Sequence, residues 1–119
     1  MKVYIAHTYG KRHGLSKKQY TVNALKSIDW GIEVVKKGHN PFIPNLYHFV
    51  QERWEQKDGK GASEDTWFNF VSAWLKECDA LFVAELPKWD GGVMAEIEMA
   101  KAMKIPIYWD IKEVPNAMP

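Results

Sequence analysis

The chain has 119 residues, 46% hydrophobic and 26% charged, with a formal net charge of +1. That length supports one domain, residues 1–119, around a single core. The interspersed charges exclude the basic stripe that a nucleic-acid partner would require. The single cysteine, Cys78, excludes an internal disulfide framework and fits a reducing, cytoplasmic setting. The opening run Lys2-Val3-Tyr4-Ile5-Ala6 is too short for a signal peptide, and no segment approaches membrane length.

In chain order, Val3–Ala6 reads as a short buried strand. The stretch from His7 to Ser16 carries Gly10, Gly14 and the side chains of His7, Lys11, Arg12 and His13, which makes it a loop. Ser16 suits a helix N-cap, and Gly38, after Lys36 and Lys37, suits the C′ stop. Between them Val22, Leu25, Ile28, Ile32 and Val35 recur at helical spacing and predict the buried face, with Gly31 its weak point. Asn40–Pro44 reads as a second strand, which its prolines place at an edge.

Leu46–Trp54 predicts a short helix and Gln56–Ala62 a polar, Gly-rich loop. Ser63 then suits a cap, with Thr66 at N3, for a helix turning Trp67, Phe70, Val71, Trp74 and Leu75 inward. Ala80–Ala84 is the central strand, Gly92–Met103 a helix, Ile105–Trp109 the last strand, and the tail irregular. Near-continuous apolar strands alternating with helices predict an α/β parallel sheet with helices on both faces. Ligands of such sheets sit at the carboxyl ends of the strands. Here those ends are His7–Gly14, Asn45 with Leu46 and Tyr47, and Glu85–Gly92.

The stretch Pro87-Lys88-Trp89-Asp90-Gly91-Gly92-Val93-Met94-Ala95-Glu96 carries the most chemistry. Its adjacent glycines lie where a buried strand hands over to a helix, and backbone N–H groups and helix-dipole charge meet a ligand there. Glu96 falls in the first two turns, sharing a stripe with Val93, Ala100 and Met103. Glu98 turns outward toward Lys101, where an i,i+3 ion pair explains it.

Three features together resemble the nucleoside 2-deoxyribosyltransferase superfamily, over nearly the whole chain. They are Val3-Tyr4-Ile5-Ala6 with Gly10 after it, Gly38-His39-Asn40-Pro41-Phe42-Ile43-Pro44, and Trp74-Leu75-Lys76-Glu77-Cys78-Asp79-Ala80-Leu81 running on to Gly92–Glu96 and Ala100. The resemblance implies a three-layer flavodoxin-like or Rossmann-like fold in a homodimer or higher homo-oligomer. It implies Glu96 as the nucleophile at the sugar C1′, with Tyr4 orienting it. Family members acting on 5′-monophosphates often carry Ser six residues before that Glu, where this chain has Asp90, a charge that repels phosphate. The Asp that the family often carries eight residues before the position of Asp79 falls here on Val71. Asp65, Asn69 and Ser72 are the nearby substitutes.

Cleavage of an N-glycosidic bond builds oxocarbenium character at C1′, which an ionised carboxylate stabilises or captures covalently. The leaving base needs a proton or hydrogen bond, for which Asp90 and His7 are the nearest candidates by loop position. His7, Thr8, Tyr9, Gly10, Asn45, Trp89, Asp90, Gly91 and Gly92 are the expected pocket residues, with Trp89 placed to stack on a base. The expected partner is a small nucleoside or nucleotide, with no nucleic acid and no membrane. The chemistry requires no cofactor, and His7, His13, His39 and His48 show no metal-ligand spacing.

Plainer roles stand beside these. Glu96 alone would suit a first-turn glutamate facing the helix dipole, Tyr4 a strand aromatic, and Asp90 an N-cap. Asp79, between a helix end and a strand start, suits a backbone cap. The alternative to an enzyme is a nucleotide- or metabolite-binding module on the same fold, or a partner protein whose aromatic surface serves assembly.

Overall fold

The structure, a computed structural model, describes residues 1–9, 16–85 and 91–117. Four strands, β1 (Lys2–His7), β2 (Asn40–Phe42), β3 (Ala80–Glu85) and β4 (Ile107–Tyr108), pair in parallel in the order β2-β1-β3-β4. The helices are α1 (Lys17–Lys36), α2 (Tyr47–Asp58), α3 (Glu64–Leu75) and α4 (Gly91–Met103). This is a three-layer, flavodoxin-like α/β arrangement. No helix among the described residues is long and apolar enough to cross a membrane.

Strand alternation builds the two cores. On β1 and β3, Val3, Ile5, Ala80 and Phe82 face one side, with Val34 of α1 and Val114 of the tail. Tyr4, Ala6, Leu81 and Val83 face the other, with Leu75 of α3 and Val93, Ile97 and Ala100 of α4. Both central strands are buried on both faces, which is why they read as unbroken apolar runs. Each fully buried Ile, Leu or Phe contributes about 1.5–3 kcal/mol.

Caps sit where the sequence places them. Ser16 accepts from the Gln19 N–H and Ser63 from the Thr66 N–H, while Gly38 takes φ 91° behind α1. Asp79 accepts from the Lys2 N–H at 2.8 Å, tying the start of β1 to the strand beside it. Glu98 pairs with Lys101 at 3.4 Å. Element lengths differ from the sequence pattern. The polar stretch after Gln56 continues α2 to Asp58, and Gly59, at φ 83°, ends it. β2 stops at Phe42 because a 3₁₀ turn, Pro44–Leu46, begins next. β4 covers only Ile107–Tyr108.

The largest correction concerns α1. Its sheet-facing residues are Asn23, Ala24, Ser27, Gly31 and Val34, while Leu25 (50%), Ile32 (47%) and Val35 (55%) are exposed. Close approach decides this. A Cβ on Gly31 would stand 2.3 Å from Ile43 Cδ1, so only the small-residue face lets the helix settle there. The polar groups it buries are satisfied: the Ser27 hydroxyl donates to Asn23 O at 2.9 Å and accepts from Asn45 Nδ2 at 2.9 Å. In α3 only Leu75 is fully buried; Trp74 stays 47% exposed, stacked on Phe42 with ring centroids 5.3 Å apart.

Candidate active site

β2 lies on one side of β1 while the chain returns on the other side as β3, so the strand order reverses between β1 and β3. The carboxyl ends of that pair are where such sheets hold ligands. A cavity of about 230 Å³ opens there, lined by His7 at the end of β1, Asn45, residues of α1, α2 and α3, and Gly92, Val93 and Glu96 of α4. It falls below the roughly 300–1,000 Å³ of drug-sized sites, which suits one small ligand.

The rim on the β1 side is held rigidly. The register shifts between Ala6 and His7, bringing His7 opposite Glu85. His7 is buried, with Nδ1 2.8 Å from Thr8 O and Nε2 2.9 Å from Glu85 Oε2. Asn45 reaches over from the turn after β2, its Nδ2 donating to His7 O (3.3 Å), Thr8 O (3.1 Å) and Ser27 Oγ (2.9 Å). Asn45 thereby joins β1, the β2 turn and α1 at the mouth of the cavity.

Glu96 lines the cavity from the second turn of α4. Behind it lies Tyr4, fully buried on the same face of the sheet as Val93 and Ile97. Burial, and then the neighbouring Glu96 charge, push the Tyr4 phenol well above its ordinary value. A phenol so held keeps its proton beside the carboxylate. The β1 alternation that turns Tyr4 toward α4 is what brings these two groups together.

α2 supplies a wall that strand-end reasoning reached only at Tyr47. Tyr47, His48, Gln51, Glu52 and Glu55 line the cavity from it, with Glu64, Trp67 and Phe68 from α3 and Lys17 and Tyr20 from α1. The signal was present as an i, i+4, i+7 run of His48, Glu52 and Glu55, a polar stripe sharing one helical face. Trp67, read as a core residue, is half-buried and donates its indole N–H to Gln51 Oε1 at 2.6 Å. Gln51 in turn fastens Ala62 by two further bonds, both 3.1 Å.

Of the expected pocket residues, the structure gathers His7, Tyr9, Asn45, Gly92 and Glu96 around the cavity. Thr8 and Gly91 adjoin these without appearing in its lining, and Tyr4 lies beneath Glu96. Gly10, Trp89 and Asp90 lie outside the described residues. Val71 lines the cavity as an apolar wall, whereas Asp65 and Asn69 are exposed on α3. Among the described lining residues Glu52, Glu55, Glu64 and Glu96 face a single lysine, Lys17, which pairs with Glu55 at 3.6 Å. No group of three or more metal-ligating side chains occurs among the described residues. No protein-family model matches the chain, and no curated protein matches it either.

Proposed function

We propose that the chain is a nucleoside-processing enzyme that cleaves or transfers the N-glycosidic bond, with Glu96 as nucleophile. The observation that carries this reading is a carboxylate lining a ligand-sized cavity at the strand-order reversal, with a buried phenol donor behind it. The C1′–N bond breaks as a C1′–O bond to Glu96 forms, and the base leaves with a proton. Water or a second base then attacks C1′ and frees the carboxylate. Tyr4 orients Glu96, and the aromatic walls of Tyr20, Tyr47 and Trp67 suit a planar base. The excess of glutamates over lysine in the described lining favours nucleosides over their 5′-monophosphates. The lone free cysteine, buried Cys78, supports a cytosolic setting.

A second reading, a binding module without turnover, draws on Val71, which puts a methyl-bearing wall where the resembled family carries a carboxylate. One experiment separates them: free-base release from a panel of nucleosides and 5′-monophosphates by wild type and Glu96→Ala. Release that vanishes in Glu96→Ala is the expected result. Tight nucleoside binding with no release by wild type establishes the module instead.

A further inference from the structure

The cavity wall holds a connected chain of polar side chains that the Glu96 chemistry leaves unused. His48 of α2 is buried, and Tyr9, beyond β1, sets its phenol oxygen 2.5 Å from His48 Nδ1. On the other side of the ring, Nε2 lies 2.9 Å from Thr21 Oγ1 and 3.3 Å from Glu52 Oε1. Tyr9, His48 and Glu52 all line the cavity.

The proton on each atom follows from the neighbours. The Thr21 hydroxyl donates to Lys17 O at 3.2 Å, so toward His48 it accepts. Nε2 therefore carries hydrogen, shared between Thr21 and Glu52. Nδ1 is left as the atom that exchanges a proton with Tyr9. Burial first, then Tyr20, Glu52 and Glu55, push the Tyr9 phenol far up, so it keeps its proton at rest. The Tyr9 ring is fixed by stacking on Tyr20, with centroids 4.9 Å apart. A carboxylate steadying an imidazole that faces a hydroxyl is the arrangement by which proteins move protons on and off an oxygen.

We propose that Tyr9, His48 and Glu52 form the proton relay of this site, serving the leaving base and then the acceptor; the proposal rests on the nucleoside reading above. In the first half-reaction His48 is the imidazolium. Tyr9 gives its proton to the departing base nitrogen, which keeps the electron pair of the broken C1′–N bond. Tyr9 Oη takes the Nδ1 proton in return, and the C1′–O bond to Glu96 forms. In the second half-reaction the acceptor's proton passes to Tyr9 and the Tyr9 proton to Nδ1. The acceptor bonds to C1′, the Glu96 ester breaks, and the imidazolium returns beside Glu52. Tyr9 is the catalytic residue; His48 and Glu52 are positioning residues acting through it.

The test compares single-turnover base release, with enzyme in excess so that only the first half-reaction is read, from nucleosides of one sugar whose bases differ in leaving ability, including an N7-methylated purine nucleoside whose cationic base departs without protonation. Tyr9→Phe, His48→Gln and Glu52→Gln are each measured against wild type, with nucleoside Kd as the check on folding. Tyr9→Phe keeps the ring and its stack and loses only the oxygen, so it remains informative if His48→Gln fails to fold. The expected result is a loss of about 10²-fold on unmethylated nucleosides for Tyr9→Phe, with the N7-methylated substrate and Kd changed by less than about threefold. An equal loss on every base, or no loss, overturns the relay while wild-type release keeps the nucleoside reading. Absence of release by wild type from any substrate overturns the nucleoside reading, and the relay with it.

Discussion

Tyr4 and Glu96 meet beneath the cavity, the phenol fully buried on β1 and the carboxylate on α4, with the phenol proton retained by burial and by the charge beside it. The pair couples the sheet to the candidate nucleophile. Tyr4→Phe removes the donor and leaves the ring packing against Phe42, whose centroid is 5.5 Å away. The expected outcome is a fall of about 10–100-fold in kcat/KM for base release, with KM changed little. Unchanged kcat in Tyr4→Phe would remove Tyr4 from the mechanism.

Asn45 is the clamp of the site. Asn45→Ala leaves the His7 and Thr8 carbonyls and the Ser27 hydroxyl without their shared donor. Each buried group left unsatisfied costs about 1–3 kcal/mol. A lower urea midpoint together with a raised nucleoside KM is expected. Asn45→Asp should be worse, since a carboxylate then faces two carbonyl oxygens. Wild-type stability in both variants would show that the clamp carries no strain-bearing role.

Gly31 tests why α1 turns its small-residue face inward. Gly31→Ala gains about 1 kcal/mol of helix propensity but forces a methyl to within 2.3 Å of Ile43 Cδ1. Overpacking of this kind costs about 1–3 kcal/mol, so a net loss is expected. Ile43→Val, which removes Cδ1, should relieve it. Additive effects in the double variant, measured by urea unfolding, would mean that the two sites do not touch.

Alkaline pH should unfold the protein earlier than an average domain. Burial, then Asp79, raises the Cys78 thiol from 9.0 to about 11, and the Tyr4 and Tyr9 phenols are raised as well. In each case the folded state holds the proton longer than the unfolded chain. The contribution is therefore intact below the unfolded pKa and is lost as pH rises through the folded one. Cys78 acts between about 9 and about 11, and the tyrosines take over above 10. Thermal unfolding followed from pH 8 upward should show the decline, and Cys78→Ala should flatten its first part. A Tm that is level to pH 11 contradicts these shifts.

The strands, the caps at Ser16 and Ser63 and the Gly38 stop are legible in the residues because each is a local matter: alternation on a strand, or a side chain satisfying an N–H three residues on. Glu96 could be singled out for the same reason, by its place on α4 near the glycine corner. The inward face of α1 was not legible. Leu25, Ile32 and Val35 and the small residues Ala24, Ser27 and Gly31 both repeat at helical spacing, and apolarity alone selects the first set. Separation between helix and sheet selects the second.

The α2 wall was hidden for a related reason. His48, Glu52 and Glu55 show in the sequence only as a polar stripe on one helical face, and their meaning depends on Tyr9 and Thr21 arriving from other parts of the chain. What the amino-acid order determined by itself is therefore whatever depends on neighbours within a few residues: element type, caps, and which carboxylate lies in the second turn of α4. Which helix face meets the sheet, which side chains share a cavity and which polar groups lie within hydrogen-bonding distance were decided by tertiary packing. Those depend on distances between segments, which close packing sets and a one-dimensional pattern does not contain.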